Sequence, residues 1–282
     1  MLQASIVLFW LAFCGFLMAS VFYVYWIVRH ATASNIVPRV ITVLAWVALT
    51  ASIGMRSVVD GGTRLNGPNQ LTLIAWALVL VYFLIEYVLR FSRYGAILIP
   101  VTAVLLFVAQ VVAPGLVSAA PTPLNISEQM NSVNVVLHVL LIVFGNAMLL
   151  IGCVASGLYI YQASSLRKHR NSTLSRALPP LANIERMGLR IAGIGLAVYF
   201  AGLIMGITRA IVVDAHLWYT DARIMLSGAV LVVFMVSVLG RRLGRLSGLA
   251  AAHIACAGGV LVLLLMVLAR TVPVGFHVFG AL

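Results

Sequence analysis

Charge is kept out of eight long stretches of this chain, and that exclusion decides what it can fold into. Apolar runs cover approximately residues 6–28, 40–58, 71–89, 96–116, 135–161, 189–213, 224–239 and 249–272, and nearly every Lys and Arg lies between them or at their ends. A helix needs roughly 20 apolar residues to cross a bilayer. With no water in the hydrocarbon, only helices and closed barrels satisfy their own backbone. The runs are continuous and do not alternate, which selects helices over barrel strands. Charged residues make up 9% of the chain and mean hydropathy is +1.13. A soluble domain carries about a quarter charged residues. The expected fold is all-α: a polytopic integral membrane protein of eight transmembrane helices. No linker separates domains, so residues 1–282 read as a single transmembrane domain. The second run is interrupted by Arg56 and the seventh is short. No basic residue precedes the first run, which therefore reads as a retained helix and not a cleaved signal.

Orientation follows from the cations. Arg29, Arg39, Arg90, Arg93, Arg167, Lys168, Arg170, Arg176, Arg186, Arg190, Arg241, Arg242 and Arg245 follow the odd-numbered runs, whereas Arg56, Arg64, Arg209, Arg223 and Arg270 follow the even-numbered ones. The positive-inside bias puts the richer side in the cytoplasm and both termini outside, N-out and C-out, in a bacterial inner membrane. Topology and lipid headgroups account for the net charge of +12, so membrane lipid is an expected partner and nucleic acid is not. Cys14, Cys153 and Cys256 all lie inside apolar runs, and no C-x-x-C is present. They read as packing residues, which argues against thiol-disulfide catalysis and covalent haem attachment through C-x-x-C-H.

The outer side gathers the residues that carry chemistry. His138 opens the fifth run, His277 lies in the C-terminal tail, and the loop of residues 214–223 (DAHLWYTDAR) falls on the same face. An ionisable side chain at a membrane-buried position is expensive and usually functional, although either histidine alone has a plainer reading as a satisfied or interfacial side chain. Together they suit one flat, amphipathic, metal-centred ligand, and neutral imidazole is the commonest protein ligand for iron. Haem between two axial histidines is a closed arrangement suited to holding or passing on the porphyrin. Trp218 and Tyr219 are either members of the interfacial aromatic belt or a shelf for the ring. Asp221 with Arg223 is either an ion pair or a helix cap. Arg209 interrupts an apolar run just below the loop and is the best candidate partner for a haem propionate; snorkelling to headgroups is the ordinary alternative. His216 and His169 read as exposed, and His30 with His253 as at most an inner relay. Glu86 reads as the i,i+4 partner of Arg90. No nucleophile–base pair or open metal position is visible, so no enzymatic activity is expected.

The order of these pieces resembles the cytochrome c assembly haem-handling family, the CcsA/CcmC/HemX group. The resemblance rests on Pro68 with residues 71–76 (LTLIAW), residues 94–100 (YGAILIP), the His138 helix ending in residues 159–162 (YIYQ), residues 189–210 followed by 218–223 (WYTDAR), and residues 275–277 (GFH). It implies non-covalent b-type haem ligated by His138 and His277 over a loop that contains Trp218 and Asp221. It also implies partners among cytochrome c maturation proteins or a haem-synthesis enzyme. The loop has one tryptophan, with Ala222, Arg223 and Ile224 where the group often has proline, lysine and glutamate. The second run and the end of the seventh have no histidine of the kind found in members that carry haem across the bilayer. The short chain looks most like the HemX branch. One rival reading is a regulator of haem synthesis whose haem site has decayed, docking through its basic loop. A small-solute transporter is a weaker rival, since mid-span charges are nearly absent.

Overall fold

The computed structural model describes residues 1–28, 36–59, 67–89, 94–111, 133–168, 178–212, 219 and 222–271. Among these residues there are eight helices and no strand: α1 (Leu2–Val28), α2 (Ile36–Val59), α3 (Gly67–Leu89), α4 (Gly95–Val111), α5 (Val133–Arg167), α6 (Leu181–Val212), α7 (Ala222–Arg242) and α8 (Gly248–Thr271). Six of them, α1, α2 and α5 to α8, are long and apolar enough to span a bilayer; α3 and α4 contain shorter apolar stretches, Leu71–Tyr87 and Gly95–Gln110. Several helices overrun the apolar runs. α5 continues to Arg167, α6 begins at Leu181, and α7 reaches Arg242, so the seventh run is the middle of a helix of 21 residues. Hydropathy marks where lipid surrounds the chain, whereas helical hydrogen bonding continues into the headgroup layer, where charged side chains are solvated. For the same reason Arg56 does not break α2, which ends three residues later.

One compact unit holds α1 to α4 together with residues 164–180. α1 and α2 pack antiparallel where Gly15 meets Ala45, and Ser52 Oγ donates to the Ser5 carbonyl at 2.7 Å. Trp46 and Trp76 stack between α2 and α3 with centroids 5.5 Å apart, and Trp46 Nε1 donates to the Trp76 carbonyl at 3.2 Å. A polar knot lies toward the α1 C-terminus. The Tyr23 and Tyr82 hydroxyls are 3.0 Å apart, Tyr82 also hydrogen-bonds Glu86, and Arg39 Nε lies 3.6 Å from Glu86 Oε2. Gly95 makes room for it: a Cβ there would fall 2.5 Å from the Tyr82 hydroxyl and 2.7 Å from Tyr23 Cζ. Among the described residues Glu86 thus pairs with Arg39 from another helix, while Arg90, its expected partner, lies outside them.

Glu86 is 5% exposed and Arg39 50%, which makes an asymmetric prediction. Arg39→Ala strands a buried carboxylate and should destabilise the protein by roughly 3 kcal/mol, at the low end for a buried pair because Arg39 is half in solvent. Glu86→Gln should cost little, and adding it to Arg39→Ala should recover most of the loss. Thermal unfolding of the four proteins in detergent measures the cycle; equal losses in both single variants would show that the stranded carboxylate is not the source.

The second unit holds residues 112–163 and 181–282, and so α5 up to residue 163 together with α6 to α8. α5 and α6 run antiparallel in a register set by glycine. Gly206 meets His138, Gly202 meets Ile142, Tyr199 meets Gly145, Gly195 meets Met148, Ala192 meets Gly152, and Gly188 meets Ala155. These α6 positions are spaced alternately by three and four residues, the seam of a left-handed helix pair. Small residues on such a seam let backbones approach where the hydrophobic effect offers no drive between helices in lipid. α7 and α8 form a hairpin. Gly244 takes φ 69°, its N–H bonds the Arg241 carbonyl, and the Arg245 N–H bonds the Gly240 carbonyl at 2.9 Å, closing α7 with a Schellman motif. Ser247 then caps α8 by accepting from the Ala250 N–H at 3.2 Å. Phe234 packs on Gly258, Ser237 donates to the Ala251 carbonyl, and Cys153 packs on Gly259 to join α8 back to α5.

Candidate functional site

The seam of α5 and α6 sets the position of His138. Its Nδ1 lies 2.7 Å from the Gly202 carbonyl across the helix pair. A carbonyl can only accept, so Nδ1 carries the proton, and in the neutral ring the lone pair falls on Nε2. Gly206 forms the floor beneath the ring. A Cβ there would fall 2.7 Å from His138 Cε1, 3.1 Å from Nδ1 and 3.4 Å from Nε2. The hydrogen bond to Gly202 and the absence of a side chain one turn along α6 therefore both position the ring. Metal-bound histidines are oriented in this way, the second ring nitrogen donating to a carbonyl or carboxylate. A histidine merely satisfied by a neighbouring helix makes the same bond. The seam also brings Arg209 into play: it is half-buried in the last turn of α6, three residues past Gly206 on the face that meets α5.

Of the other expected site residues, His277, Trp218 and Asp221 lie outside the described residues, as do His30, His169 and His216. Tyr219 is described and exposed, and Arg223 is half-buried in the first turn of α7. His253 is exposed, with Nδ1 2.7 Å from the Leu249 carbonyl of its own helix. Among the described residues no group of three or more His, Cys, Asp or Glu side chains could hold a metal ion by itself. Gly202 and Gly206 are the site residues that sequence reasoning missed. Their signal was the three-and-four spacing of small residues that begins at Gly188 and ends opposite His138.

The opposite end of this unit is closed by charge pairing. Arg241 Nε donates to Glu185, and an Arg241 amino group reaches the Leu246 carbonyl at 3.5 Å. Gly248, the first residue of α8, leaves space for the Tyr159 hydroxyl and the Glu185 carboxylate. The cavity here holds about 30 Å³ between Ser156, Tyr159, Glu185, Ser237 and Arg241, enough for a water or two and far too little for a tetrapyrrole. Cys153 and Cys256 face each other across α5 and α8, each sulfur about 4 Å from the other's carbonyl, at 4.0 and 3.8 Å. Both are free thiols.

Six bilayer-length helices, with a carbonyl-braced histidine and an arginine sharing one end of a helix pair, define a polytopic helical membrane protein whose described ligand chemistry lies at a bundle end. The chain belongs to the cytochrome c assembly protein family: the family's sequence model, described as Cytochrome C assembly protein, matches residues 64–277. Membership places it among membrane proteins of cytochrome c maturation and haem handling. The match begins after α2, so the α1–α2 hairpin precedes it. No curated protein and no solved structure matches the chain.

Proposed function

We propose that this protein binds or passes b-type haem, held non-covalently between His138 and His277 at the outer face of a bacterial inner membrane. In this reading the chain is one transmembrane domain of eight spans with both termini outside. Trp218 and Asp221 belong to the loop that carries the porphyrin, and Arg209 pairs with a propionate. The observation that carries the reading is the bracing of His138. Its Nδ1–H is committed to the Gly202 carbonyl and the ring lies over Gly206, which fits the imidazole of an axial ligand. When bound, haem supplies an iron that accepts two imidazoles and two carboxylates that accept guanidinium. The chain's own residues orient a ring nitrogen, neutralise a propionate and keep the porphyrin at the membrane rim. The partners in this reading are other maturation proteins or an enzyme that makes haem, as the family suggests.

A pyridine haemochrome assay on detergent-purified protein tests this. The wild type should carry or take up haem with a low-spin spectrum, and His277→Ala should lose that spectrum. A wild type that purifies colourless and takes up no added haem would overturn the reading.

A further inference from the structure

Six acidic residues serve the whole chain: Asp60, Glu86, Glu128, Glu185, Asp214 and Asp221. Glu86 is taken by Arg39 and Glu185 by Arg241. The other four lie outside the described residues. Among the described residues the cations at the α6 N-terminus and the α7 C-terminus, Arg186, Arg190, Arg241 and Arg242, outnumber the one carboxylate beside them, Glu185. Three of these cations converge. Arg186, Arg190 and Gly193 follow one another at i, i+4 and i+7 on one face of α6. The guanidinium of Arg242, from the last turn of α7, crosses that face at Gly193: a Cβ there would fall 2.6 Å from Nη2 and 3.3 Å from Cζ, with Val238 Cγ1 at 3.7 Å. All three arginines are exposed, and among the described residues neither ion pair uses any of them. Further along the same face of α6, Ile194, Phe200 and Ile204 are exposed, as is Leu239 on α7. A cationic rim thus continues into an apolar, lipid-facing groove.

We propose that this α6–α7 groove binds an anionic phospholipid, its phosphate between the guanidiniums of Arg186, Arg190 and Arg242 and its acyl chains along Ile194, Phe200 and Leu239. Guanidinium matches phosphate with paired hydrogen bonds, and basic pockets between helices recognise anionic headgroups. Gly193 is what lets Arg242 reach the cluster. The α5 side of α6 is filled by the glycine seam, so the groove lies on the face that seam leaves open.

Native mass spectrometry of the full-length protein, with phosphatidylglycerol or phosphatidylcholine added, tests the proposal. The wild type should retain phosphatidylglycerol in preference to phosphatidylcholine. Arg186→Gln/Arg190→Gln/Arg242→Gln should reduce that retention at least about tenfold. Gly193→Leu, which keeps every charge but blocks the crossing of Arg242, should lower it as well. A control, Arg167→Gln/Lys168→Gln/Arg245→Gln, removes the same number of charges elsewhere and should retain the lipid. Equal losses in the groove and control variants, or a wild type indifferent to headgroup charge, would overturn the site and leave only general attraction to a charged surface.

Discussion

A Gly206→Val protein should fold, insert and lose haem. His138→Ala removes the proposed ligand outright and should abolish the low-spin spectrum, but that result alone does not show how the ligand is held. Gly206→Val leaves the imidazole in the chain and attacks only its seat. Its Cβ would arrive 2.7 Å from Cε1 and 3.1 Å from Nδ1, inside van der Waals contact, and its two methyl groups crowd the ring further. The ring must swing away, and the bond from Nδ1 to the Gly202 carbonyl breaks with it. Loss of such a supporting bond weakens metal binding by about 10 to 100-fold, and displacement of the ring itself should put Gly206→Val at or beyond the upper end of that range. Haem titration in detergent reads the affinity, and far-ultraviolet circular dichroism checks that the helices remain. Gly54→Val, where no atom lies within 4 Å of the added Cβ, should bind as wild type does. Unchanged affinity in Gly206→Val would mean that the observed seat of His138 is irrelevant to haem.

The second large effect concerns stability. A Cβ at Gly145 would fall 2.8 Å from both Cα and Cβ of Tyr199 and 2.9 Å from its backbone nitrogen. Backbone atoms cannot rotate aside as a side-chain tip can, so Gly145→Leu must push α5 and α6 apart along the seam. Overpacking a tight interface costs about 1–3 kcal/mol and occasionally more; with backbone as the obstacle, about 3 kcal/mol is expected here. Gly157→Leu, on the same helix but with nothing within 4 Å of its Cβ, should be neutral or slightly stabilising, because leucine is the better helix former. Denaturation in mixed micelles compares the two. If both variants unfold together, the register of the helix pair is wrong, and with it the placement of His138 over Gly206.

Much of this architecture is legible in the sequence, and the boundary of what is legible is physical. Apolar runs report immersion in lipid, so the positions of the helices emerge well, six of them of bilayer length among the described residues. They say nothing of how far a helix continues into the headgroup layer, and α5, α6 and α7 all continue further than the runs do. Local pairing rules find neighbours one turn apart, which is why Glu86 pointed to Arg90, outside the described residues; they could not point to Arg39 of α2, with which the structure pairs Glu86. Cys153 and Cys256 are similarly distant in sequence and adjacent in space. His138 was legible as an ionisable residue in an apolar run. Its partner was not, because a backbone carbonyl has no letter in the sequence, and Gly206 becomes meaningful only once the register sets it beside the ring. His277, Trp218 and Asp221 lie outside the described residues, so their part in the site rests on the sequence pattern and the family.

The short connection between α7 and α8 has a consequence for biogenesis. Two stop signals, the left-handed Gly244 and the Ser247 cap, turn the chain sharply between two apolar helices that already bond through Ser237 and the Ala251 carbonyl. Such a pair can leave the insertion machinery together as one helical hairpin, with its polar turn kept at the membrane surface. The last two spans would then partition into lipid in a single step, and α5 and α6 would later receive an already assembled wall.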